Sequence, residues 1–225
     1  MEDFLILKLD GPLQAWGRES YEGLRPSELF PGRSSLLGLL GACLGIERDD
    51  QAGQGKLASS VNFAVRVDAV LCPFTSEPLR RQKLTDYHTV KNARESYRGL
   101  KSHETIQTWR EYWQDSRYTV VVWLKQGAGY SLDEIRAAIQ KPMYAPVLGR
   151  KSCPIARPLY ESSIKAVSCE SALLMVEPVG GTIYSDVQLS TSKELRVRDV
   201  PIVHRPRQFA SRTVYMQAQG GSHAS

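Results

Sequence analysis

Hydrophobic and polar positions along the chain fall into short runs with two different periods. Phe4 to Leu9 alternates around Lys8 and ends at Asp10-Gly11-Pro12, which predicts a half-buried strand closed by a turn. After Pro31-Gly32-Arg33-Ser34-Ser35, apolar residues recur as Leu36, Leu37, Leu39, Leu40, Cys43 and Leu44. That spacing predicts a helix with Ser34 or Ser35 as N-cap and Gly45 at its exit. Gly38 and Gly41 inside it each cost about 1 kcal/mol relative to Ala, so they are expected where the helix packs closely on another backbone. Asn62 to Cys72 places Phe63, Val65, Val67, Ala69 and Leu71 on one parity and predicts a strand stopped by Pro73. Tyr118 to Leu124 is a continuous apolar run and predicts a buried central strand. Ser131 and Glu134 form a capping box that opens a helix running to about Gln140, before Pro142.

Residues 75–116 follow neither period. Within them only Glu104 to Tyr112 reads as a helix or a short ordered arm, and so long a polar section between strands predicts a protruding arm. A strand near Tyr144 to Val147 would complete a βαββαβ unit. Beyond Pro158 the signals are short strands at Ala172–Glu177, Leu195–Val200 and Thr213–Gln217, punctuated by Gly180-Gly181, Pro201 and Pro206. The expected architecture is α+β. A ferredoxin-like, RRM-like domain spans residues 1–147 with an inserted arm at about 75–116, a small β-rich C-terminal lobe spans 148–219, and a small, polar tail at 220–225 frays.

Composition removes several classes. With 42% hydrophobic and 24% charged residues among 225, the chain is neither disordered, collagenous nor a coiled coil. Its apolar runs fall short of the roughly 18 residues of a membrane span. Met1-Glu2-Asp3-Phe4 does not begin a secretory signal. A soluble, cytosolic protein is expected. Cys43, Cys72, Cys153 and Cys169 are isolated, with no CxxC pair, and read as reduced thiols without a metal. The net charge of +5 is unevenly placed: residues 1–79 carry −4, residues 80–125 carry +5, and residues 140–160 and 193–225 each carry +4. Three basic blocks separated by acidic ones suit one positive surface, or three solvated faces that never meet.

Candidate chemistry lies in the basic blocks and at one loop outside them. The loop at Gly32, with Arg33 and Ser34 before a helix N-terminus, suits a phosphate, although Gly32 could equally just turn the chain and Ser34 cap it. It lacks the lysine and spacing of a Walker loop. Gly149 is followed by Arg150 and Lys151, a fork and a point charge for phosphate oxygens. Arg205, Arg207 and Arg212 lie near Gln208 and Phe209, cations beside an aromatic. The arm interleaves Tyr87, His88, Lys101, His103, Trp109 and Arg110, a set able to stack bases while neutralising phosphates. The same residues allow a catalytic alternative, metal-independent RNA cleavage, with His88 or His103, Tyr87 and Lys101 as base, acid and cation. No GxSxG or HExxH motif occurs.

Six stretches together resemble a known family: Gly11-Pro12-Leu13-Gln14-Ala15-Trp16-Gly17, Phe30 to Ala42, Asp86-Tyr87-His88-Thr89-Val90, Lys101 to Tyr112, Leu148 to Pro154, and Pro206-Arg207-Gln208-Phe209. In order along nearly the whole chain, they resemble the CasD-type RAMP subunits of the type I-E Cascade complex in CRISPR immunity. The resemblance implies a non-catalytic subunit gripping the 5′ handle of CRISPR RNA. Its partners would be the backbone RAMP subunits and the large subunit, with target DNA reached only through the complex and no cofactor. It also implies that the arm is a thumb reaching a neighbouring subunit. The binding residues expected are Trp16, Arg33, Ser34, Tyr87, His88, Lys101, His103, Arg110, Arg150, Lys151, Arg207 and Gln208.

Overall fold

In the computed structural model the described residues are 1–20, 22–72, 74–75, 77, 79–91, 105–204 and 207–219. In chain order the elements are β1 (Glu2–Asp10), β2 (Leu13–Gln14), β3 (Leu24–Arg25), α1 (Arg33–Leu44), α2 (Gln51–Ser60), β4 (Val61–Asp68), β5 (Gln82–Lys91), β6 (Thr105–Gln114) and β7 (Arg117–Leu124). These are followed by α3 (Leu132–Gln140), β8 (Tyr160–Ala166), α4 (Cys169–Leu174), β9 (Gly181–Ser185), β10 (Lys193–His204) and β11 (Arg207–Gln219).

The alternation in β1 decides how the main sheet is covered. Leu5, Leu7 and Leu9 point into a core shared with Leu36, Leu40 and Cys43 of α1 and with Ile135 and Ile139 of α3. Phe4 and Ile6 point the other way, into a second core with Ala64, Val121, Trp123 and the α4 residues Ala172 and Leu173. β7 lies between β1 and β4 and is buried on both faces, which is why its sequence is a continuous apolar run. The strands β8-β1-β7-β4 pair antiparallel in that order. With α1 and α3 as crossovers they form the ferredoxin-like βαββαβ unit.

Its last strand is β8, not the expected segment at 144–147. Pro146 interrupts that segment, and its residues are exposed or half-buried without strand pairing. β8 carries a weak alternation, Tyr160, Ser162, Ile164 and Ala166 against the more exposed Glu161, Ser163 and Lys165. The strand expected at 172–177 is instead the end of α4 and its exit. Ser168 caps this helix with Ser171 in a reciprocal box, and Ala172 and Leu173 are fully buried. Its apolar run is too short for periodicity to separate helix from strand. β9 pairs with β4 and with β11, so the C-terminal strands extend the same seven-stranded sheet.

At the start of α1 the N-cap is Gly32, not Ser34 or Ser35, and Gly32 offers no side-chain acceptor. Asp199 of β10 takes that role: its carboxylate accepts the Arg33 N–H at 2.6 Å. A Cβ on Gly32 would lie 2.9 Å from the same carboxylate. Gly38 faces open space and Gly41 makes only ordinary contacts, so neither marks the close backbone packing expected of it. Arg212 of β11 donates to both oxygens of Asp199, at 2.6 and 2.9 Å, and to Asp186 at 2.7 Å. Asp186 also accepts from the Arg33 guanidinium and from Phe63 N–H. Burial opposes the charge on Arg212, but Asp199 and Asp186 outweigh it and raise its pKa.

Asp199→Ala leaves one Arg212 ion pair unmade and the first N–H of α1 without its acceptor. It is expected to lower unfolding free energy in urea by about 3–5 kcal/mol, with a smaller loss for Asp199→Asn.

Candidate nucleic-acid interface

The expected arm is present as an antiparallel hairpin, paired from Gln82↔Gln114 to Lys91↔Thr105. Of the two readings open for Glu104 to Tyr112, a helix or a short ordered arm, the structure gives the arm, as a strand over Thr105–Gln114. Ile106, Trp109, Tyr112 and Trp113 suit helical spacing by coincidence, and pairing with β5 overrides it. Strand geometry then sorts the arm's side chains by parity. Asp86, His88, Thr108, Arg110 and Tyr112 share one face, and Lys83, Tyr87, Trp109, Glu111 and Trp113 share the other.

The first face collects positive charge. Arg25 of β3 lies in register with Arg110. Arg150 stacks its guanidinium 4.6 Å from the Tyr112 ring and donates to the carbonyls of Glu111 at 3.1 Å and Arg25 at 3.0 Å. Gly149 makes this seat possible: it has φ +91°, and a Cβ there would come within 1.8 Å of the Ala15 carbonyl. Arg150 therefore ties the glycine turn to the arm and adds its charge to those of Arg25 and Arg110, while Lys151 beside it is exposed. Asp86 lies 2.5 Å from His88 Nε2 but off the line a hydrogen bond needs.

The arm is rooted in the main sheet by Arg81. Its guanidinium sits 4.2 Å from the Trp113 ring and 5.3 Å from the Tyr118 ring, donating to Tyr118 Oη and to Ser116 Oγ at 3.3 Å. Burial lowers the Arg81 pKa, with Tyr118 and Tyr184 acting against it. Burial likewise pushes the Tyr118 hydroxyl up to about 12. On the second face Glu111 accepts from Lys83 Nζ at 2.9 Å and from the Ser27 N–H at 3.0 Å. Burial works against the carboxylate, but these bonds hold its pKa below the usual range.

Several expected binding residues are placed elsewhere. Trp16 is 1% exposed and packs edge-on against Tyr118, a core residue with no face open to a base. Arg33 is turned inward, donating to Asp186 and to the carbonyls of Ala58 at 2.7 Å and Val61 at 2.9 Å. Ser34 sits half-buried in the first turn of α1. The phosphate expected at this helix N-terminus is replaced by Asp199, because a carboxylate from the protein itself already satisfies the free N–H. Arg212 is committed to the same cluster. Gln208 is exposed near the β10–β11 turn, where Arg207 opens β11. Lys101, His103 and Arg205 lie outside the described residues. Tyr87 and His88 are adjacent on β5 and face opposite sides, so they do not converge on one reacting atom.

The structure thus places His88, Arg110 and Arg150 about one face, with Lys151 exposed next to Arg150 in the chain, and adds Arg25 and Tyr112 to that face. Trp109 lies on the other face and Arg81 at the root. A period-two reading of Ile106 to Trp113 would have separated Trp109 from Arg110. Nothing in sequence links Arg25 to the arm, since the contact is a two-residue parallel bridge.

A ferredoxin-like unit extended by C-terminal strands and bearing a β-arm is the fold this chain presents in its likeness to CRISPR-associated proteins. The chain belongs to the family described as CRISPR-associated protein (Cas_Cas5), whose model matches residues 4–215. It is 50% identical over 227 positions to the CRISPR system Cascade subunit CasD of Escherichia coli (strain K12), covering 100% of both chains. Among solved structures it resembles a chain of a CRISPR RNA-guided surveillance complex, with TM-score 0.67 and 25% identity over 96% of this chain and 89% of that one. It shares its fold with a Cas protein crystal structure at TM-score 0.64 and 22% identity, covering 96% and 94% of the two chains. No described helix is long and apolar enough to cross a membrane.

Glu111→Gln tests the root of the arm. A carboxylate with a depressed folded pKa stabilises fully above its ordinary value near 4.5, and that stabilisation is lost as pH falls through the depressed value. In urea unfolding the variant is expected to be about 1–3 kcal/mol less stable at pH 7, with the gap closing below pH 4.

Proposed function

We propose that this protein is a non-catalytic, RNA-gripping subunit of a Cascade-type CRISPR surveillance complex. It holds the 5′ handle of CRISPR RNA and meets the backbone RAMP subunits and the large subunit through its arm. Target DNA is engaged through the assembled complex. The observation that carries this reading is the gathering of Arg25, Arg110 and Arg150 about one face of the arm, with Lys151 exposed next to Arg150 in the chain, in a chain 50% identical along its full length to a Cascade subunit. Guanidinium groups on a strand pair offer forked donors to phosphate oxygens without requiring a particular base. The polyanion is gripped by its backbone, which suits a handle held in every complex whatever spacer follows.

The divergence of Tyr87 and His88 supports a binding role over the ribonuclease alternative. General acid–base cleavage needs its acid and base within hydrogen-bond reach of one phosphodiester, which this pair does not offer; the other base named for that chemistry, His103, lies outside the described residues.

Co-expressed with its genomic neighbours, the protein is expected to co-purify with them and with a short RNA of defined 5′ end. In filter binding over a salt series, Arg110→Ala with Lys151→Ala should weaken RNA binding and reduce the slope of log affinity against log salt by about two. Cleavage of repeat RNA in EDTA that His88→Ala abolishes would overturn the non-catalytic assignment. So would a protein that stays RNA-free in the presence of all its neighbours.

A further inference from the structure

Phosphate binding on the cationic face leaves the arm's opposite face unexplained. There Leu24, Trp109 and Tyr87 stand in register across the three adjacent strands β3, β6 and β5. They remain 44%, 44% and 50% exposed. The other tryptophans, Trp16, Trp113 and Trp123, are all buried. Trp109 is nevertheless held firmly. Its backbone N–H donates to the Gly23 carbonyl at 3.0 Å, and its ring lies where a Gly23 side chain would be. A Cβ there would come 3.1 Å from Trp109 Cζ3 and 3.0 Å from the Gln107 carbonyl. Tyr87 braces the indole from β5, centroid to centroid 5.3 Å at 46°.

The charge around this aromatic row selects its occupant. Lys83 and Lys91 share the parity of Tyr87 on β5 and are both exposed. The one acid of that parity among the described residues of β5 and β6 is Glu111, already bonded to Lys83 and the Ser27 N–H. Threonines and a glutamine, Thr85, Thr89, Thr105 and Gln107, fill the remaining positions. Lys83 has Glu111 as its partner, so an apolar protein patch would still leave Lys91 facing it without a counter-charge. A single-stranded polynucleotide brings a π-face for the indole and a phosphate on either side of it.

We propose that Trp109 and Tyr87 form a stacking platform for an unpaired RNA base, with Lys83 and Lys91 supplying the field for the adjoining phosphates. The inference rests on the RNA-gripping role above and extends it: the arm holds backbone on one face and a base on the other.

The test titrates the full-length chain with short single-stranded RNAs that carry 2-aminopurine at one position at a time. With the wild type, one position is expected to be quenched strongly on binding. Trp109→Leu should remove that quench and weaken binding by about five- to a hundredfold, while Trp109→Phe and Tyr87→Phe keep most of both. Arg110→Ala should weaken binding yet leave the quench intact at saturation. Tyr87→Ala, which removes a half-exposed ring, reports the same quench should Trp109→Leu fail to fold. A folded Trp109→Leu variant with affinity and quench unchanged overturns the platform and leaves the RNA-gripping role standing. Loss of partner subunits in that variant, with RNA binding and quench intact, also overturns it and assigns the patch to protein. An assembled complex lacking RNA sinks the underlying role itself.

Discussion

Two aspartates and two arginines, alternating in one buried cluster, hold the C-terminal strands against the ferredoxin-like unit. Asp186 lies between Arg33 and Arg212, and Asp199 lies between Arg212 and the first N–H of α1. A buried charge is costly alone and tolerable when each neighbour is of opposite sign and every remaining donor is satisfied. Here the Arg33 guanidinium also reaches two carbonyls, and Asp186 also takes the Phe63 N–H. Residues from α1, β4, β10 and β11 are thereby fixed to one point. Asp199 and Asp186 thereby engage the first N–H of α1 and the Arg33 guanidinium, so cations for RNA are sought on surfaces where they remain exposed.

The arm is such a surface, and its organisation follows from strand geometry alone. Successive side chains alternate sides, so Trp109 and Arg110, neighbours in sequence, serve different faces. Gly149 and Gly23 each permit a close approach, one seating Arg150 beneath Tyr112 and the other seating Trp109 on the backbone. Arg81, stacked between the arm's Trp113 and the sheet's Tyr118, carries the hairpin on the body of the protein. Lys8, buried beneath the same sheet, donates to Thr119 Oγ1 at 2.7 Å and the Glu177 carbonyl at 2.5 Å. Burial foremost lowers its pKa, against the pull of Asp68. Both cations serve the scaffold, and neither is needed to explain RNA contact.

Local sequence was sufficient for β1, β7 and α3, because their periodicity, caps and turn residues all agree. It was enough to place an arm between two core strands, and the six motif stretches carried the family. It left Thr105–Gln114 open between helix and ordered arm, because aromatic spacing there imitates a helix. It misjudged Ala172–Glu177, where the apolar run Ala172 to Val176 is too short to separate the periods until the Ser168 cap is seen.

By itself, then, the sequence determined the α+β class, the projecting basic arm and the kinship to CRISPR-associated subunits, since these rest on patterns within short windows. Only the tertiary structure decided which cations are available. Arg33 and Arg110 look alike in sequence, yet Arg33 lies beside Asp186, 153 positions away, while Arg110 stands across from Arg25 on a projecting face. The difference is set by long-range pairing of charges, and no local pattern records where a distant carboxylate will come to rest.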